Sequence, residues 1–323
     1  MLMAGHPDDW AVMQGGSAQQ QEVSAHCTAH LNRIKAAWYE VKGDPAAITA
    51  AITTASSAAH DLKVAAAKVK TTVELRLIDP NWSGTLAVAT RRELTTAHRG
   101  LAALADLLQA SPRADRAPTS LVDRLNVAEP QVRQAPLDVE RIATGFVRDA
   151  DDLIGQAVAS EFLRRIQAEF NGIVARWNAD TVVGQQEQAL GAVVAGFPRV
   201  PRLPPRGPEP QSSLETVAKT GALATAVTEL REQVKTLNGV AGRYLAGSGL
   251  RPFTFGQTAS GRRIEQLYED FRRDMADRIR GFADRIDWQA TVAGNLRAGL
   301  DDGDAQGAST FRTLKAQRPT SFG

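Results

Sequence analysis

The chain has 323 residues, enough to bury a sizeable core and to divide into two domains, and its 43% hydrophobic and 23% charged content is that of a globular protein. With 38 Lys+Arg against 36 Asp+Glu the net charge is only +2, which excludes the concentrated positive field of a typical nucleic-acid binder. One cysteine, Cys27, excludes an intrachain disulfide or a cysteine-rich zinc module, and no run of eighteen apolar residues is present.

Aromatics are scarce, at 6%, and alanine is abundant, a bias that suits closely packed helices. Residues 1–16 read as an N-terminal arm without the basic and apolar regions of a secretory signal. From Ser17 to Lys42 an apolar seam of Val23, Cys27, Leu31, Ile34, Trp38 and Val41 predicts the first helix. The second begins at Asp44-Pro45, a side-chain acceptor followed by a proline suited to the first helical position. Its seam of Ile48, Ile52, Ala55, Ala59, Leu62, Ala66, Val69 and Val73 steps by four and three, and Asp79-Pro80 closes it. Thr85 to Ala110, with Leu86, Leu94, Leu101, Leu104 and Leu108, predicts a third helix, and the short connections predict that these three form an antiparallel bundle.

Pro112, Pro118, Pro130 and Pro136 are expected to break the next stretch into short pieces. Helical patterning resumes from Leu137 to Asn178, with Gly145, Gly155 and Gly172 as points of interruption, and again from Thr181 to Ala195. Phe197 to Gln211 holds six of the 15 prolines and reads as an extended arm. Ser212 and Glu215 have capping-box spacing ahead of a seam that runs from Leu223 to Tyr244. The last long helix is expected from about Ser260 to Val292. The expected organisation is therefore all-α: an arm at 1–16, a helical bundle at 17–196, a Pro-rich arm at 197–211, a helical hairpin at 212–298 and a flexible tail at 299–323.

Chemical motifs are few. His26 and His30 lie one turn apart with Glu22 one turn before, so three ligand types share one helix face, and His60 or His98 is available as a further ligand. A metal-dependent enzyme built on His26 and His30 is one expectation, although Cys27 stands where a zincin motif needs its glutamate. The final helix has seven arginines between Arg262 and Arg285, balanced by seven carboxylates between Glu265 and Asp287, and reads as a solvated face. The string Pro201-Arg-Leu-Pro204-Pro205-Arg206 matches the P-x-x-P-x-R spacing that SH3 grooves read. Asp302, Asp304, Gln306 and Gly307 echo a calcium loop, but Thr313 occupies the position of the bidentate glutamate.

His6-Pro7-Asp8-Asp9 resembles the motif of PIG-L/LmbE-type zinc-dependent deacetylases. The resemblance implies zinc ligation by His6 and Asp9, with Asp8 as general base. It covers four residues, and Trp10 stands where that family has glutamate. Trp82-Ser83-Gly84, between two predicted helices, resembles the turn of WXG-type secreted helical hairpins, although the accompanying Y-x-x-x-D/E signal is missing, since Arg272 follows Tyr268. That resemblance implies an exported helical effector. The reading favoured by the sequence is a non-enzymatic assembly protein, such as a capsid or nucleocapsid-like subunit, that is cytoplasmic or in a virion. It would bind no cofactor and no metal and would form homo-oligomers through its helical seams, the 197–211 arm and the 299–323 tail.

Overall fold

The computed structural model describes residues 6–110, 119–157, 163–205 and 217–316, and within them the fold is all-α. A 3-10 turn, Pro7–Asp9, precedes helices α1 (Ala18–Val41), α2 (Pro45–Arg76), α3 (Thr85–Leu108), α4 (Leu121–Gln156), α5 (Leu163–Arg176), α6 (Asp180–Ala195), α7 (Thr220–Gly247) and α8 (Ala259–Ala316). Two-residue strands β1 (Trp82–Ser83) and β2 (Val217–Ala218) pair antiparallel.

Helix starts follow local chemistry. Asp44 Oδ1 accepts from the Ala47 N–H at 3.0 Å, capping α2 as its sequence predicts. Ser17 with Gln20 and Ser120 with Asp123 form reciprocal capping boxes on α1 and α4. The prolines do not divide α4: Pro130 and Pro136 lie inside it. Each interior proline costs about 3 kcal/mol, but burying one aliphatic side chain contributes about 1.5–3 kcal/mol. The stripe Leu121, Leu125, Ala128, Val132, Ala135 and Val139 is buried along the whole affected stretch, while Pro130 stays exposed. Burial outweighs the breaks.

The chain forms two compact units, neither of them continuous in sequence. The first comprises residues 1–53, 111–198 and 248–270. In it α1 packs on α4 and α6, and α5 covers part of α4. Cys27, Leu31, Ile34, Val41, Val139, Ala143, Phe146 and Ala150 form its centre. Trp10 and Val12 are buried in the same core, and the Met13 N–H donates to Asp151 Oδ1 at 2.7 Å. Residues 6–16 are thus a packed segment and not a free arm, because two large apolar side chains anchor them.

The second unit comprises residues 54–110, 199–247 and 271–323. Lys63 on α2 bonds Asp106 and Gln109 at the end of α3, while Arg91 near the start of α3 donates to Leu77 O just past α2. Arg243 pairs with Asp61 at 2.8 Å and Arg76 with Glu229 at 3.3 Å, setting α7 antiparallel to α2. Arg272 donates to Leu245 O, and Gly294 faces Val227, so α8 runs antiparallel to α7. Gly100 on α3 closes the ring: a Cβ there would collide with the Phe282 ring of α8. The result is a four-helix bundle of α2, α3, α7 and α8 with antiparallel neighbours.

Three further expectations change. The first three helices do not form one bundle, since α1 belongs to the first unit and α3 to the second. Residues 299–316 are helical and not a tail, because extending an existing helix adds one hydrogen bond per residue without a new nucleus. Residues 197–205 are extended as expected; Leu203 fills the notch at Gly281, and Pro204 O accepts from Arg285. Residues 206–211, the Ser212–Glu215 capping spacing and 317–323 lie outside the described residues.

Candidate interaction surface

The residues with chemical potential are held in structural roles. His30 Nε2 lies 3.3 Å from Trp177 O, and its ring is 4.8 Å from Phe146, while the His26 ring is 6.0 Å from Phe170. Both histidines therefore sit between α1 and the aromatic side chains of α4 and α5, and Glu22 is exposed. His60 and His98 fall in the other unit. Among the described residues no group of three or more His, Cys, Asp or Glu side chains is placed to hold a metal ion. Cys27 is fully buried, and burial, reinforced by Asp151, raises its thiol to about 11, so at neutral pH it is a protonated core residue.

His6 Nδ1 contacts Asp8 Oδ2 at 3.2 Å, and Asp8 Oδ1 accepts from Tyr39 OH at 3.0 Å. This ties the 3-10 turn to the end of α1. Among the described residues the α/β fold that the deacetylase resemblance implies is not present.

Trp82-Ser83-Gly84 does occupy the turn of an antiparallel helical hairpin, between α2 and α3. Trp82 is fully buried, and its strand pairs with Val217–Ala218. Gly84 has φ 104°, a conformation that favours glycine, and its carbonyl accepts the Val88 N–H at 3.1 Å.

The surface that stands apart is the outer face of α2. Ser57, His60, Val64, Ala67, Thr71 and Leu75 are all exposed and follow one another in steps of three and four, opposite the buried seam. Ile78, just beyond the helix, continues the line, and Val88 opens α3 across the turn. Leu75 is 57% exposed and Val88 59%. None of these side chains carries a carboxylate, amine or guanidinium. The outer face of α8 is built differently: Arg273, Asp274, Asp277, Arg280, Asp284 and Asp287 are charged and line its solvent side. Sequence reading finds only the inner seam of α2. The outer one has the same spacing but mixes Ser, Thr and Ala with its aliphatics, so it differs from a solvated face only by its lack of charge.

Comparison with family models, with curated proteins and with solved structures finds no match for this chain. Among the described residues no helix is long and apolar enough to cross a membrane.

Proposed function

We propose that the protein is a non-enzymatic assembly subunit, a building block of a virion or another large particle, and that its copies meet through the outer stripe of α2. The observation that carries this reading is the charge-free heptad-like line from Ser57 to Leu75 on an exposed helix face. Steps of three and four keep one face toward a neighbouring helix over several turns. Identical copies that meet through a single-sign stripe would set like charges against each other, which costs energy; a stripe without charge avoids that conflict. Lysines at 63, 68 and 70 border it and would remain at the wet rim of the contact.

Sedimentation velocity across a concentration series tests the reading. Wild-type protein is expected to associate, and Val64→Lys with Leu75→Lys to weaken association by about tenfold or more, as for loss of central contacts. Circular dichroism should be unchanged, because both sites are exposed. A wild-type chain that stays monomeric at every concentration and salt overturns the proposal, as does a double variant that associates normally.

A second reading, a WXG-type exported helical protein, is supported by the buried Trp82 and the Gly84 turn of the α2–α3 hairpin. It expects the chain in the culture fluid of intact host cells, and strict retention inside them removes it.

A further inference from the structure

In the first unit one loop carries an exposed aromatic side chain on a strained backbone. Arg251, Pro252 and Phe253 are all exposed, whereas Thr254, Phe255 and Gly256 behind them are buried. Phe253 has φ 64°, a conformation that costs a bulky residue energy and persists only where its surroundings impose it. The surroundings are visible. Thr254 Oγ1 donates to Arg251 O at 2.7 Å, the Gly256 N–H donates to Phe253 O at 3.0 Å, and the Asp44 N–H donates to Thr254 O at 2.8 Å. Phe255, fully buried, anchors the loop, and Tyr268 OH donates to Ser248 O at its base. The loop thus holds Phe253 outward, 49% exposed, at an energetic cost that burial of its own ring does not recover.

The same unit contains a cleft of about 310 Å³ between α4 and α5. Leu153, Gly172 and Ile173 supply an apolar lining, and Asp149, Asp152 and Glu169 outnumber Arg176 among its charged groups. Its volume is at the lower end of the roughly 300–1,000 Å³ typical of small ligand sites, enough for an aromatic ring. Its carboxylates complement Arg251, two residues before the ring.

We infer that Phe253 of one copy inserts into the α4–α5 cleft of a second copy, with Arg251 facing the carboxylates of the rim. The inference rests on the self-assembly reading above and adds a second contact to it. Ring and cleft are different surfaces, so the contact is head-to-tail and propagates from copy to copy. A subunit with one self-facing contact on α2 and one head-to-tail contact builds an extended array instead of stopping at a dimer.

Replacing Phe253 with photoreactive benzoylphenylalanine keeps an aromatic ring at the position and tests the contact in the full-length chain. Irradiation is expected to yield a covalent dimer whose joined peptide falls within residues 149–176 of the other copy. Gly172→Trp fills the cleft from a position where an added Cβ meets nothing within 4 Å, so the fold is retained. It should lower the dimer yield by about tenfold or more, the effect of excluding a buried aromatic anchor. A dimer joined elsewhere, no dimer, or a yield that Gly172→Trp leaves unchanged, from wild-type protein that sediments as an oligomer, overturns this contact and leaves the α2 reading standing. A monomeric wild-type chain overturns both.

Discussion

Asp149 shows how a charged residue can be structural. Burial pushes its carboxyl upward, but hydrogen bonds from the Trp177 indole at 2.7 Å and from Arg148 at 3.0 Å, with the Arg148 and Arg176 charges, outweigh that and lower it. The group ties the end of α5 and the residue after it to α4. A carboxyl whose folded value is lowered contributes stability that is present above its unfolded value, about 3.9, and is lost as pH falls through the folded value. Asp149→Asn is therefore expected to destabilise the chain at pH 7, with the difference from wild type shrinking as pH falls below about 4. Urea denaturation at pH 7 and at about pH 3 measures it, and an equal difference at both values would show that the carboxylate charge is not involved. None of this is legible in the sequence. Asp149 is one acid among several on an amphipathic helix, and its partners Arg176 and Trp177 lie 27 and 28 residues away. His26 and His30 are the converse case. Their i,i+4 spacing is readable, but spacing places two side chains on one face without saying what lies opposite, and here Phe146, Phe170 and the Trp177 carbonyl lie opposite.

At the scale of elements, helices whose signal is local are legible. The second helix shows its cap, its first-turn proline and its seam in sequence, and Ile48, Ala55, Ala59, Leu62, Ala66, Val69 and Val73 are buried as the period requires. Helix α4 is not legible over its first half, because proline is a local signal while the burial that overrides it is a tertiary quantity. Its capping box at Ser120 and Asp123 is the available cue, placing a helix start ten residues before Pro130. The C-terminal extension of α8 runs against its local composition for a related reason. Glycines at 299, 303 and 307 lower helix propensity in isolation, yet their cost of about 1 kcal/mol each does not end a helix that is already long when it reaches them.

At the scale of the molecule, the path of the chain matters most. It passes between the two units five times, at 53/54, 110/111, 198/199, 247/248 and 270/271. A chain truncated after Pro198 would lack α7 and α8, hence half of the four-helix bundle, and also residues 248–258, whose Thr254 and Gln257 bond the α1–α2 junction. Such a chain is expected to lose cooperative unfolding, measured by urea titration under circular dichroism. A native-like sharp transition would instead favour two domains in sequential order, the arrangement that the Pro-rich break at 197–211 suggests. Sequence alone determined that the protein is helical, where most helices run and which faces they bury, because the 3.6-residue period and the caps are written within each element. Tertiary structure decided which helices share a core, that residues 6–16 pack into it, and that α2 keeps a charge-free face outside. Apolar seams of alanine, valine and leucine fit many partners alike, so their pairing is settled only when the whole chain finds the arrangement that buries them together.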